Sequence, residues 1–162
     1  MTGNGLQAAS SPTRSRSARG PLKALGVVQW VRHVSRGETL FHQGDPSEGA
    51  FVISRGRVRI VMFSPAGVSR EMGIARSRDI VGLSAAISGK PHQATAEAMS
   101  ACTVGFIRRD DLLHLIREES EVCLYIMQCL SSDIAASYAV LRELASTHAR
   151  HGHPNQDATA AE

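Results

Sequence analysis

The hydrophobic pattern of this chain changes period once, near residue 107, and that change limits the fold more than any other feature. Before it, short apolar stretches are cut at regular intervals by Gly37, Gly44, Gly49, Gly56, Gly67, Gly73, Gly82 and Gly89. Val28, Trp30 and Val31 fall in the first stretch. Residues 57–63 (RVRIVMF) alternate Arg57, Val58, Arg59 and Ile60, as a strand buried on one face does. Regular turns between short strands point to an antiparallel sandwich or barrel over residues 27–107. Nothing alternates a strand with a long helix, so a parallel nucleotide-binding sheet is not expected. After residue 107 the period lengthens. Asp110 or Asp111 is placed to N-cap a short helix carrying Leu112, Leu113, Leu115 and Ile116. A long helix follows over about 119–147, with Val122, Ile126, Leu130, Ile134, Tyr138, Leu141 and Ala145 recurring every three or four residues. That stripe outruns what a small barrel can cover. Its uncovered half needs another partner, most simply its own copy across a two-fold axis; packing wholly on its own barrel is the alternative.

The chain has 162 residues, room for one domain. Its unbroken apolar runs, such as Ile60 to Phe63, are far short of the roughly 20 residues of a membrane-spanning helix, and no apolar core precedes Pro21 as a secretory signal requires. No membrane partner is expected. Cys102, Cys123 and Cys129 are too few and scattered for a disulfide framework, which points to reduced thiols and a cytoplasmic setting. The net charge is +3, and residues 1–20, with Arg14, Arg16 and Arg19 and no acid, carry all of it. The remainder sums to zero, so direct nucleic-acid binding by the folded body is not expected. The expected organisation is a disordered Arg- and Ser-rich tail over 1–20, a strand-rich domain over 21–107, two helices over 108–147 and a second disordered tail over 148–162.

Several segments together resemble one family. Gly37-Glu38-Thr39-Leu40-Phe41-His42-Gln43-Gly44-Asp45-Pro46 resembles a turn of cyclic nucleotide-binding domains. Phe51 to Ile60, around Gly56, resembles their next strand pair. Asp79-Ile80-Val81-Gly82 and Ala101-Cys102-Thr103-Val104 resemble later strands. Over about residues 22–147 the order of parts resembles the sensor half of Crp/Fnr-type bacterial transcription regulators. The resemblance implies a mainly β fold with C-terminal helices: a double-stranded β-roll, jelly-roll or cupin-like, followed by a dimerising helix. It also implies a role in signal transduction and transcription regulation. Only 17 residues follow Ala145, fewer than the helix-turn-helix of such regulators needs.

In that family a glycine ends a strand and a short helix follows, whose N–H groups receive a cyclic phosphate. Gly82 with Leu83 to Ser88 supplies that backbone. An acid just after the glycine holds the ribose, and an arginine about ten residues on pairs with the phosphate. Here those positions fall at Leu83, with Ser84 next, and near His92 in Pro91-His92-Gln93-Ala94-Thr95. The expected ligand cassette is therefore Gly82, Leu83, Ser84, His92, Gln93, Ala94 and Thr95, without the acid and the arginine. Losing both costs about 3–6 kcal/mol, or two to four decades in affinity. His92, with a reference pKa of about 6.5, is a poor replacement cation. The hydroxyls that could face a base are Ser131, Ser132 and Ser137; residues 139–145 have none. Cyclic nucleotide is thus a weak expectation as ligand. The 79–89 segment resembles the oxygen-sensing Fnr-like branch, yet residues 1–101 hold no cysteine, so no N-terminal iron–sulfur cluster is expected.

No metal site is expected; His148, His151 and His153 lack a rigid support. No nucleophile is paired with a base, so no enzyme is expected. Two readings remain. One is a dimeric, non-enzymatic sensor module, with Ile126, Leu130, Ile134, Tyr138 and Leu141 in the interface, homodimeric or paired with a full-length regulator, responding to an unidentified small-molecule effector. The other is a ligand-free β-roll that interacts with other regulators. A polar cavity around 82–95 favours the first; filling of that space by Leu83 and Ile87 favours the second.

Overall fold

The computed structural model describes residues 28–151, with side chains to Ser146. Eight strands and three helices run in the order β1 (Trp30–Val34), β2 (Thr39–Phe41), β3 (Gly49–Arg55), β4 (Arg57–Phe63), β5 (Ser69–Arg76), β6 (Ile80–Val81), α1 (Leu83–Ser88), β7 (Thr95–Ala98), β8 (Cys102–Arg108), α2 (Arg109–Glu118) and α3 (Ser120–His151). One antiparallel sheet has the order β1-β8-β3-β6 and the other β2-β7-β4-β5. Together they form the expected double-stranded β-roll, with the helices following as a C-terminal layer.

Two apolar clusters hold it together. Between the sheets lie Val34, Phe51, Ile53, Val58, Val81, Ala98, Val104 and Phe106. On the outer face of the first sheet, Ala50, Val52, Ile80 and Ile107 meet Leu83, Ala86, Leu112, Leu115, Val122 and Ile126 from the helices. β3 therefore buries both faces: Phe51 and Ile53 point to the inter-sheet core, Ala50 and Val52 to the helices. This explains its unbroken apolar run, since alternation survives only where one face meets water. β4, in the second sheet, keeps that alternation from Arg57 to Val58, until a bulge between Ile60 and Val61 turns Val61 inward as well.

Gly56 joins β3 to β4 at φ +99°, a left-handed conformation that suits glycine, and a β carbon there would lie 2.5 Å from Cys102 Sγ and 2.7 Å from the Ala101 carbonyl oxygen. None of Cys102, Cys123 and Cys129 is in a disulfide.

The helices differ from expectation in three respects. The N-cap of α2 is Arg108, in an extended conformation, and no side chain caps it. Asp110 and Asp111 lie inside the first turn, where their charge is favoured by the positive end of the helix dipole. α3 continues to His151, beyond the expected end at 147. Third, its apolar residues form two stripes rather than one. Val122 and Ile126 are buried against the roll and α2, with Cys129 and Leu130 packed beside them. Ile126 and Leu130 are therefore engaged within their own chain. Ile134, Tyr138 and Leu141 lie on the opposite stripe, 56%, 61% and 58% exposed, and this stripe continues backwards through Ser131, Met127 and Leu124, all exposed. Their three- and four-residue steps are those of a coiled-coil seam.

Over Ser120–Ser146, α3 is also long and apolar enough to cross a membrane, with mean hydropathy 1.2; counting unbroken apolar runs missed this. Its first two turns are committed to the roll, however. The remainder carries Asp133, Arg142 and Glu143, and charged side chains cost about 2.5–3.5 kcal/mol each at a bilayer centre. The tails at 1–27 and 152–162 lie outside the described residues, as do the side chains of His148, His151 and His153.

Candidate functional site: a cavity between the roll and the long helix

The cavity floor begins where β6 ends. Gly82 takes φ +83° as the N-cap of α1, and a β carbon there would meet His92 Cε1 at 3.2 Å and Phe41 Cε1 at 3.4 Å. Gly89 closes the other end of α1 at φ +70°, where Arg109 donates to the Ile87 carbonyl at 3.4 Å. α1 is thus clamped between sheet and helix.

The loop that follows is fixed by the turn at 42–46. Gly44 N–H donates to the His92 carbonyl at 2.7 Å, and His92 N–H to the Asp45 carbonyl at 2.9 Å. Gln43 N–H donates to Thr95 Oγ1 at 3.0 Å, and His42 N–H to Asp45 Oδ2 at 2.8 Å. The Gly44-Asp45-Pro46 turn, a scaffold feature by sequence, therefore also holds the cassette loop in place.

This arrangement sets the character of His92. Its ring stacks on Phe41 with centroids 3.8 Å apart and planes 13° apart, and the residue is 6% exposed. Burial pushes its pKa below the ordinary 6.5, outweighing the opposing effect of the Asp45 carboxylate. At neutral pH it is an uncharged aromatic slab over Gly82. It stands where the resemblance puts an arginine, without the charge that position needs.

Beyond this stacked pair a cavity of about 310 Å³ opens between β4–β5 on one side and α3 on the other. Of the expected cassette, Gly82, Leu83, Ser84, His92, Gln93 and Ala94 line it. Thr95 does not: it is buried, and its hydroxyl accepts the Gln43 N–H. Leu83 touches the cavity but is 2% exposed and belongs to the apolar cluster under the helices. A carboxylate at this position would have to leave water. Ile87 packs into that same cluster. The space is therefore left open rather than filled by Leu83 and Ile87.

Sequence reasoning missed the opposite wall. Met62, Met72, Gly73 and Ile74 line it from the sheet, and Cys129, Ser132, Asp133, Ala136 and Ser137 from α3. Ser132 and Ser137 were weighed as hydroxyls, but their nearness depends on how α3 crosses the roll. Ser137 Oγ donates to the Asp133 carbonyl at 2.9 Å; Ser131 lies on the outer seam. Asp79 also lines the cavity, and its Oδ2 accepts the Arg76 N–H. Tyr125 hydroxyl donates to the Arg78 carbonyl at 3.0 Å, tying α3 to the turn before β6.

Among the described residues that line the cavity there is no arginine or lysine. Lys90, the nearest firm cation by sequence, is exposed outside it. With His92 neutral, nothing in these walls balances a cyclic phosphate, and α1, at six residues, is too short to supply the deficit through its dipole. The side chains present do not fit that ligand.

A family model for the cyclic nucleotide-binding domain matches residues 31–119, and the chain belongs to that family. The similar proteins include transcription regulators, and also a voltage-gated potassium channel and a patatin-like phospholipase domain-containing protein. Transcriptional activator protein FnrA of Stutzerimonas stutzeri is 30% identical over 104 residues, covering 62% of this chain and 42% of FnrA. This chain thus spans well under half the length of that relative. The fold is shared with the c-di-GMP responsive global regulator CLP of Xanthomonas campestris, at TM-score 0.65 and 19% identity over 72% of this chain and 59% of that one. It is also shared with a transcriptional regulator of Thermotoga maritima, at TM-score 0.65 and 20% identity over 78% and 99%.

Proposed function

We propose that this chain is a non-enzymatic sensing and dimerising module of a Crp/Fnr-type regulator. A small molecule enters the cavity, shifts the tilt or register of α3, and a second helix across the seam carries the signal onward. The observation that carries this reading is that α3 serves two purposes. Its inner face, at Cys129, Ser132 and Asp133, is a wall of the cavity. Its outer face is the exposed seam at Met127, Ile134, Tyr138 and Leu141. A ligand touching one face therefore acts on whatever packs against the other. The second chain is a copy of this one or a full-length regulator with a matching helix, whose activity the mixed dimer would alter.

The test is mass by light scattering at about 50 μM for wild type and for the Ile134→Asp/Leu141→Asp variant. A wild-type dimer and a folded monomeric variant are expected, because two carboxylates facing each other across a seam are both desolvated and mutually repelled. A monomeric wild type at that concentration sinks the dimer. Co-expression with a tagged full-length relative separates the two partner classes: mixed dimers support the regulatory pairing, and exclusive homodimers end it.

A further inference from the structure

The turn joining β3 to β4 and the turn joining β5 to β6 are stitched into one platform. Arg78 N–H donates to the Ile53 carbonyl at 2.7 Å, and Ile53 N–H to the Asp79 carbonyl at 2.9 Å. Ser77 Oγ donates to the Ser54 carbonyl at 2.8 Å. Arg57 N–H donates to Ser100 Oγ at 3.2 Å, and its carbonyl accepts the Met99 N–H at 2.8 Å. Arg76 N–H donates to Asp79 Oδ2 at 2.9 Å. Four exposed arginines stand on this fixed backbone: Arg55 and Arg57 on either side of Gly56, and Arg76 and Arg78 in the facing turn. None of their guanidinium groups is in an ion pair with a described residue. Arg59, two residues along β4 from Arg57, differs: it grips Glu97 through two bonds of 2.9 Å.

Three of these arginines weaken the fold that carries them. Arg57 and Arg76 are directly opposed partners in the β4–β5 ladder, where like charges repel. Arg78 has φ +78° and among the described residues is the one non-glycine with a positive φ, a conformation that strains any residue with a β carbon. Strain of this kind collects where a surface is used. From this we infer that the platform is a docking surface for a short acidic segment of another protein. Guanidinium forks pair bidentately with carboxylates, and a carboxylate seated between Arg57 and Arg76 would relieve their repulsion. Nucleic acid fits less well. Tyr125 hydroxyl donates to the Arg78 carbonyl, so the start of α3, with Glu118, Glu119 and Glu121 all exposed just before it, borders the platform. A duplex carries its charge far past four arginines and would press phosphates on those acids; a short segment would not. None of the four arginines lines the cavity or belongs to α3, so this surface is independent of the sensing role.

The experiment uses the full chain and a fluorescein-labelled peptide of four Glu-Gly repeats, with a Gln-Gly peptide and a 20-base-pair duplex DNA alongside. Anisotropy is read in about 50 mM salt, where exposed charges are weakly screened. Arg14, Arg16 and Arg19 in the tail bind anions too, so the readout is the change that a substitution makes within the same chain. Arg57→Thr/Arg76→Thr should weaken the acidic peptide at least about fivefold and the duplex less than about twofold, with Tm unchanged or raised. Arg78→Asn, which keeps a residue tolerant of that φ, should weaken the peptide without lowering Tm. Arg32→Thr/Arg70→Thr removes the same charge elsewhere and should leave the peptide within about twofold of wild type. Equal weakening by the two double variants, or none by either, overturns the inference. A larger loss for the duplex than for the acidic peptide moves the surface to nucleic acid and overturns the assignment to protein. Binding of the Gln-Gly peptide as tight as that of the acidic one removes charge as the basis of recognition and overturns it as well. A fall in Tm in both platform variants would show that these arginines serve the fold, which also overturns it.

Discussion

Acid should destabilise this domain through His92, and the size of the effect follows from where the ring lies. The side chain is 6% exposed and stacked on Phe41, and burial holds its pKa below 6.5. As pH falls past about 6.5 the unfolded chain binds a proton at this histidine before the folded chain does. Protons therefore favour unfolding: stability is complete above that pH and is lost as pH drops towards the lower, folded value. If the folded state took up no proton at all, the unfolded chain at about pH 5 would gain RT ln(1 + 10^1.5), about 2 kcal/mol. For a domain of this size that is about 5–10 °C in Tm. His92→Phe keeps a flat ring against Phe41 and abolishes the titration. Thermal melts of both proteins at about pH 7.5 and pH 5 isolate the histidine, because every other titrating group is common to the two. Wild type should lose up to about 2 kcal/mol more than the variant over that interval. Identical losses would refute the claim that His92 is held neutral by burial, and with it part of the case against a phosphate at this position.

Two further perturbations check the frame around the cavity. Gly56→Ala forces a β carbon into a left-handed turn and against the Ala101 carbonyl oxygen; about 2–4 kcal/mol should be lost in urea unfolding, and a loss under 1 kcal/mol would mean the hairpin relaxes. Tyr125→Phe removes the hydroxyl bond to the Arg78 carbonyl and should cost about 0.5–1.5 kcal/mol, with faster hydrogen exchange in the 76–80 turn; unchanged exchange would show that this bond does not restrain α3 against the roll.

The amino-acid sequence by itself determined the class of fold and the position of its parts. Glycine spacing marked most strand boundaries, as at Gly56 and Gly82, because the chain turns tightly only where a residue tolerates those dihedral angles, but Gly73 lies inside β5 rather than at a turn. The change of period near residue 107 marked the helical layer because side-chain periodicity is local. The cassette at 82–95 and its missing arginine were legible for the same reason. Other features were decided only by the tertiary structure. Val122, Ile126 and Leu130 read as one stripe with Ile134 and Tyr138 until the crossing of α3 over the roll buried the first group and left the second outside. Leu83 looked like a vacant acid position, but the helix cluster claims it for packing. Thr95 looked like a ligand contact until the turn at 42–46 drew its hydroxyl to the Gln43 amide. The far wall, with Met72, Asp79 and Asp133, joins residues far apart in sequence, and no local pattern reports which of them meet. Local dihedral preference and periodicity are written in neighbouring residues; the charge and volume of a cavity are properties of surfaces that only long-range packing brings together.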